Sequence, residues 1–127
     1  MVSVGMIPSF VSWKNMSQNL KMYHIVCISF RPGVSEEQKE SIYNDYQELG
    51  ETCGGAAAGI RHWSVSKNMD TRKGIELVEV AVLDDEAALD RLKKHDAHQQ
   101  VVDALRVVAD WTVADAWLPF PLPATSS

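Results

Sequence analysis

Residues 22–38, MYHIVCISFRPGVSEEQ, decide the fold of this chain. The segment opens with a run of β-branched and aromatic residues, Met22–Phe30, and the run stops at an Arg-Pro-Gly turn. Such a run, ended by proline and glycine, predicts a strand. Alternate side chains of a strand lie on one face. One face of the predicted strand carries three residues that matter below: His24, Val26 and Ile28.

A helix is predicted directly after the turn. Ser35 is followed three residues later by Gln38, which is the spacing of a capping box, in which each side chain bonds to the other residue's backbone N–H. Apolar residues then recur at helical spacing and form one stripe: Ile42, Tyr46, Leu49 and Cys53. The pair Gly54-Gly55 predicts the end of this helix.

The remaining chain predicts three more strands, at 59–66, 75–83 and 111–117, with two short helices between the last two. The order β-α-β-β-α-α-β is the α+β, ferredoxin-like plan, a four-stranded antiparallel sheet with helices on one face. The strand at 75–83 is apolar at nearly every position, as if both of its faces were covered. We therefore expect a homodimer, in which a second copy covers the open side of the sheet.

Length and charge exclude several classes of protein. The chain has 127 residues and a mass of 14.1 kDa, which fits one domain. It carries 12 Lys and Arg against 17 Asp and Glu, a net charge of −5, so we expect no nucleic-acid or membrane partner. Two cysteines, Cys27 and Cys53, are too few for a disulfide framework or a cysteine-built zinc site. We expect a cytoplasmic protein.

The two ends of the chain differ from its centre. Residues 1–21 lack a basic start and an unbroken apolar run, so they predict a flexible extension rather than a secretory signal. An alternative is an arm that packs on a partner subunit through Phe10 and Trp13. Residues 119–127 predict an extended, proline-rich tail. The expected domain is therefore 22–118.

His95 and His98 stand three residues apart at the junction of the two later helices. This spacing is able to chelate a metal, but no third ligand is spaced nearby, and we expect no metal site. A general acid–base histidine is the functional interpretation, because histidine titrates near neutral pH. The structural alternative is that His95 caps a helix and His98 is a satisfied, half-buried side chain.

Two polar residues interrupt apolar strand faces. His24 shares its face with Val26, and Glu76 is placed on the face of Val78. A lone polar side chain on an apolar face needs a partner or a pocket. If the two faces meet under the helices, His24 and Glu76 are able to hydrogen-bond, as a functional pair or as a structural one.

Two motifs carry a family resemblance. The first is H-hydrophobic-V-x-x-x-F-[KR]-x-G-x-[ST], from His24 to Ser35, and the second is H-x-A-H, from His95 to His98. Over residues 22–118 the chain resembles the stress-responsive A/B barrel family of the dimeric α+β barrel superfamily. The resemblance implies a dimer whose two sheets pair into a central barrel.

Within that family the chain resembles the plant polyketide cyclase type that closes olivetolic acid. That type implies an aldol-type ring closure without cofactor or metal, in a pocket between the sheet and the helices. Its pocket residues match His98, His24 and Tyr46 here. The chain departs from the type at Leu92, where the type has tyrosine, and at Glu76, where it has histidine.

We accordingly expect a cofactor-independent acid/base enzyme that cyclises, isomerises or eliminates on a small polyketide-like or other carbonyl substrate. His98 would transfer the proton, Tyr46 or His24 would hydrogen-bond the oxyanion, and Glu76 would orient His24 or act as a second base. The residues expected to contact substrate are Val26, Ile28, Val78, Leu92 and His95. The alternatives are a non-catalytic stress-responsive oligomer and a cofactor-free monooxygenase.

Overall fold

The computed structural model describes residues 19–122. Most of the predicted extension, with Phe10 and Trp13, lies outside the described residues, as do the last five residues of the predicted tail. The elements in chain order are β1 (Leu20–Phe30), α1 (Glu36–Gln47), α2 (Leu49–Thr52), a 3-10 turn (Gly55–Ala58), β2 (Ile60–Lys67), β3 (Leu77–Leu83), α3 (Glu86–Lys94), α4 (Asp96–Val108) and β4 (Ala109–Pro119).

The four strands form one sheet in the order β2-β3-β1-β4, and every neighbouring pair is antiparallel. This is the predicted ferredoxin-like arrangement, with the first strand in the interior of the sheet. Strand β1 lies between β3 and β4, so its alternation decides which residues face the helices. Met22, Val26 and Ile28 are buried on that face. They pack with apolar residues of the helices, and the core therefore lies between the sheet and its helical layer.

The first helix begins as the sequence predicts. The Ser35 hydroxyl accepts from the backbone N–H of Gln38 at 3.1 Å, and the Gln38 side chain accepts from the backbone N–H of Ser35 at 3.2 Å. The capping box is confirmed. The predicted single helix is divided into α1 and α2 at Glu48, yet its whole apolar stripe is buried: Ile42, Tyr46, Leu49 and Cys53.

The last strand pairs with the first along its whole length. Leu20 pairs with Pro119, and the backbone N–H of Phe120 donates to the Asn19 carbonyl at 3.1 Å. Strand β1 thus begins two residues before Met22, because β4 offers backbone partners there. The predicted start of this strand at Met22 is therefore two residues too late.

The second face of the sheet takes no part in the helix–sheet core. It carries half-buried apolar side chains on the two interior strands: Ile25, Cys27, Val78 and Val80. In the described part of the chain, no helix is long and apolar enough to cross a membrane.

Candidate functional site

A cavity of about 550 Å³ lies between the helix-facing side of the sheet and α4. This volume is within the range of small-molecule sites. Strands β1, β3 and β4 supply the floor, α1 supplies Tyr46, and α3 and α4 supply the outer wall. The wall residues of α4 recur at helical spacing, because only one face of the helix meets the cavity: His98, Gln99, Val102, Asp103, Leu105 and Arg106.

Two polar side chains, His24 and Glu79, lie on the floor, and Asp115 extends the row beyond the cavity lining. His24 on β1 is only 4% exposed, and its Nδ1 lies 2.6 Å from Oδ1 of Asp115, its cross-strand partner on β4. A carboxylate only accepts, so His24 Nδ1 is the donor of this hydrogen bond. His24 Nε2 lies 3.8 Å from Oε2 of Glu79 on β3, which is an electrostatic contact longer than a hydrogen bond.

Glu79 is the most deeply buried ionisable group of the row, with 1% exposure. Its Oε1 accepts a short hydrogen bond from the Tyr46 hydroxyl. Its Oε2 is buried and has no hydrogen-bond partner among the described residues. A buried, unpartnered carboxylate oxygen costs free energy, so it marks either a strained site or a place where a ligand or a proton binds.

Burial changes the protonation of this group. Loss of solvation raises the pKa of Glu79 to about 7, although the Tyr46 hydrogen bond and the charge of His24 act in the opposite direction. Burial, with the neighbouring Glu79 carboxylate, also raises the pKa of Tyr46, so its hydroxyl keeps its proton and remains a donor. Glu79 therefore exchanges a proton at neutral pH beside a permanent donor.

His98 stands in the first turn of α4 on the opposite wall. Burial lowers the pKa of His98 to about 4, and the positive charges of His24, Lys93 and His95 act in the same direction. The imidazole is therefore neutral at neutral pH, with one N–H donor and one lone pair. The cavity thus holds a carboxyl that titrates near pH 7 opposite an uncharged imidazole.

The family model of the stress-responsive A/B barrel domain matches residues 22–118, most of the chain. The chain belongs to the stress-responsive A/B barrel family. No curated protein matches it.

Solved structures share the fold of this A/B barrel protein. A dimeric ferredoxin-like protein of unknown function from Thermobifida fusca has a TM-score of 0.68 and 16% identity, covering 80% of this chain and 93% of that chain. The hydroxynitrile lyase of Passiflora edulis has a TM-score of 0.66 and 14% identity, covering 83% and 99%. A Dabb-family protein from Mesorhizobium loti has a TM-score of 0.62 and 15% identity, covering 76% and 95%. At these identities the likeness shows the fold alone.

Four residues singled out in the sequence meet in the cavity of this A/B barrel protein: His24, Val26, Tyr46 and His98. Glu76 does not, and its predicted contact with His24 is wrong. Glu76 precedes strand β3, and the Val78 face to which it was assigned lies on the side of the sheet opposite to His24. The Glu76 carboxylate instead accepts from the Lys39 ammonium of α1 at 2.9 Å.

The other expected contact residues also lie outside the cavity wall. Val78 lies on the opposite face of the sheet, while Ile28 and Leu92 are fully buried in the core. His95 caps α4, with its Nδ1 accepting from the backbone N–H of Ala97 at 3.1 Å. The structural alternative stated for His95 is therefore the observed one. In the stretch from 19 to 122, no group of three or more His, Cys, Asp or Glu side chains is arranged to hold a metal ion.

The sequence interpretation missed Glu79 and Asp115. Glu79 lies three residues after Glu76 in the same apolar run, so the two point to opposite faces of a continuous strand. The face that Glu79 shares with Leu77 and Leu83 is the buried one, and that pattern was a usable signal. Asp115 becomes visible only from the pairing of β1 with β4.

Proposed function

We propose that this A/B barrel protein is an acid/base enzyme that moves a proton at the carbon next to a carbonyl group of a small organic substrate. The single observation that supports this proposal is the buried Glu79 carboxyl in the cavity, with a free Oε2 and a pKa near 7. A general base works best when its pKa lies near the working pH. The chemistry covers aldol-type cyclisation, isomerisation and elimination.

In the proposed reaction, Glu79 in its ionised form removes the proton, and the electron pair of the broken C–H bond becomes the enolate. The negative charge then develops on the carbonyl oxygen. The neutral imidazole of His98 lines the same cavity and supplies an N–H donor for that oxygen, while the single proton of the Tyr46 hydroxyl stays on Oε1 of Glu79. The proton on Glu79 returns to carbon in an isomerisation or passes to the leaving group in an elimination. The role first expected of Glu76 is thus given to Glu79, and His98 acts as a donor rather than as the base.

His24 and Asp115 position the base in this proposal. The hydrogen bond to Asp115 holds the His24 ring with its Nε2 edge toward Glu79. The electrostatic contact of His24 with Glu79 favours the ionised form of Glu79. A non-catalytic oligomer gains nothing from burying Glu79 beside His24, because apolar side chains of the same volume would cost less free energy.

The test is deuterium exchange at the carbon next to the carbonyl of simple aryl ketones in D₂O, followed by proton NMR at pH 7.5. We expect catalysed exchange by the wild type and a loss of about 10²–10⁴-fold in Glu79→Gln. Glu76→Gln is the matched control, because Glu76 is a glutamate of the same segment that lies outside the cavity. Equal rates for the Glu79→Gln variant and the wild type would overturn the proposal.

A second assay separates the subclasses. One probe is an aromatic hydroxynitrile, whose cleavage releases an aldehyde; the Passiflora edulis relative is named for this activity. The other probe is a linear polyketide-like ester, whose ring closure is the reaction of the cyclase type that the sequence resembles. The first reaction breaks a carbon–carbon bond and the second forms one, so the active probe identifies the subclass.

The proposed state of the enzyme is a homodimer. The half-buried apolar side chains Ile25, Cys27, Val78 and Val80 form a sheet face outside the helix–sheet core. The structural relative from Thermobifida fusca is described as dimeric. Light scattering is expected to give about twice 14.1 kDa, and Val80→Asp is expected to reduce the mass toward that of a monomer. Val107→Asp, at an exposed position of α4, is the control. A folded wild-type monomer would contradict this assembly.

A further inference from the structure

The outer wall of the cavity carries two cations that the proposed chemistry does not use. Lys93 at the end of α3 and Arg106 on α4 both line the cavity, and both are exposed to solvent. The protein as a whole is acidic, with a net charge of −5. Both cations lie on the outer wall, whereas the floor carries the Glu79 carboxyl, so the positive charge is concentrated on one side of the cavity.

Most basic side chains of the described residues are engaged in ion pairs. Seven of them lie within ion-pair distance of a carboxylate: Lys21, Arg31, Lys39, Arg61, Lys67, Arg72 and Lys94. Within residues 19–122, neither Lys93 nor Arg106 has a carboxylate oxygen within 4.0 Å. Their charges are therefore available to a ligand.

Arg106 is held against the cavity wall. Its guanidinium carbon lies 6.0 Å from the centroid of the Trp111 ring, in a cation–π contact, and Trp111 itself lines the cavity. Such a contact restricts the long side chain before a ligand arrives. A planar guanidinium held in this way presents a fork of donors that matches a carboxylate.

The charge of the wall fits a ligand with one negative charge. Asp103 lines the cavity between His98 and Arg106 on α4 and offsets one of the two cations. The outer wall alone therefore carries two cations against one carboxylate, and the ionised Glu79 on the opposite floor lowers the charge that a ligand can bring, which suits a carboxylate better than a doubly charged phosphate. Arg106 lies eight residues after His98, about 12 Å along the helix axis, and its side chain leans back toward the N-terminus of α4.

We propose that the substrate is a keto acid whose carboxylate binds Arg106, with added attraction from Lys93, while its ketone reaches Glu79 and His98. The inference rests on the proposed function, since it names the substrate class of the same cavity. The spacing along α4 favours a substrate in which several carbon atoms separate the ketone from the carboxylate.

The test uses 6-oxo-6-phenylhexanoate, its methyl ester, and the alkyl phosphate that carries the same aryl ketone. Affinities are measured by calorimetry on the wild-type protein and on the Arg106→Gln, Lys93→Gln and Lys73→Gln variants. Lys73 is an exposed lysine outside the cavity, so its variant controls for a general change of charge. Circular dichroism checks that each variant is folded.

We expect the acid to bind the wild type about tenfold more tightly than the ester, a size typical of hydrogen bonds to a charged group. Arg106→Gln should bring the two ligands within about twofold, Lys93→Gln should reduce the difference in part, and Lys73→Gln should leave it unchanged. Equal affinity of acid and ester, a preference that survives Arg106→Gln, tighter binding of the phosphate, or no binding of any probe would each overturn the inference.

Binding is read without turnover, so the two proposals fail separately. A protein that distinguishes acid from ester but exchanges no deuterium refutes the proposed function alone. A protein that exchanges deuterium into the ester but does not distinguish the two ligands refutes the keto-acid assignment alone.

Discussion

Replacing Glu79 by glutamine should stabilise the protein at alkaline pH and have little effect at acid pH. In the folded protein the pKa of Glu79 is raised from about 4.5 to about 7. A raised pKa means that the contribution of this group to folding is fully present below pH 4.5 and is lost as the pH rises through 7. Glutamine keeps the shape and the polarity of the side chain but does not ionise.

The size of the effect follows from the difference between the two pKa values. Each unit corresponds to 1.36 kcal/mol, so the ionised form of Glu79 costs about 3 kcal/mol. The free energy of unfolding of Glu79→Gln should exceed that of the wild type by less than about 1 kcal/mol at pH 4.5 and by about 3 kcal/mol at pH 8. Taking the difference in free energy of unfolding between the variant and the wild type cancels the contributions of the other titrating groups.

Urea denaturation at fixed protein concentration, followed by circular dichroism at several pH values, measures this difference. Glu76→Gln is again the control, because Glu76 is partly exposed and ion-paired with Lys39, and its difference from the wild type should change little over this range. If Glu79→Gln is no more stable than the wild type at pH 8, Glu79 is not a buried carboxyl of raised pKa.

Three further predictions concern His98, Gly50 and Asp115. As the pH falls from 7 to 4.5, the free energy of unfolding of His98→Asn should rise by about 1 kcal/mol relative to that of the wild type in the same denaturation series. The pKa of half-buried His98 is lowered, so its contribution to stability is present above pH 6.5 and is lost toward pH 4. The absence of this relative gain would contradict the lowered pKa. Gly50→Ala should lose about 1–3 kcal/mol of stability and change the near-ultraviolet circular dichroism, because an added Cβ would lie 2.5 Å from Trp63 Cβ; an unchanged spectrum would show that Trp63 moves freely. Asp115→Asn should slow ketone exchange about tenfold and shift the ¹⁵N signals of the His24 ring toward the other tautomer; slower exchange with unchanged ¹⁵N signals would exclude a positioning role.

The fold could be predicted because its signals are local. The alternation of β1 placed His24 and Val26 on the helix-facing side, and the capping box at Ser35 fixed the start of α1. The apolar stripe that includes Tyr46 predicted the buried side of the first helices even though the chain bends at Glu48. These features depend on residues a few positions apart, which a single sequence displays directly.

Only part of the site could be predicted. The positions of its remaining members depend on strand limits and strand register. A start of β3 two residues too early placed Glu76 on a regular strand, and its Val78 face was set beside His24, whereas the register puts Glu79 on that side of the sheet. Asp115 meets His24 only because β4 pairs with β1 in one particular register, between residues 91 positions apart. No local pattern encodes that register.

The most direct measurement of the central claim is the pH dependence of catalysed α-proton exchange, as kcat/KM, for the wild type and for Glu79→Gln. We expect kcat/KM of the wild type to rise with pH through an apparent pKa near 7, because the ionised carboxylate is the base. Glu79→Gln should show no such rise and little activity. A wild-type profile without that step, or the same step in Glu79→Gln, would show that another group moves the proton.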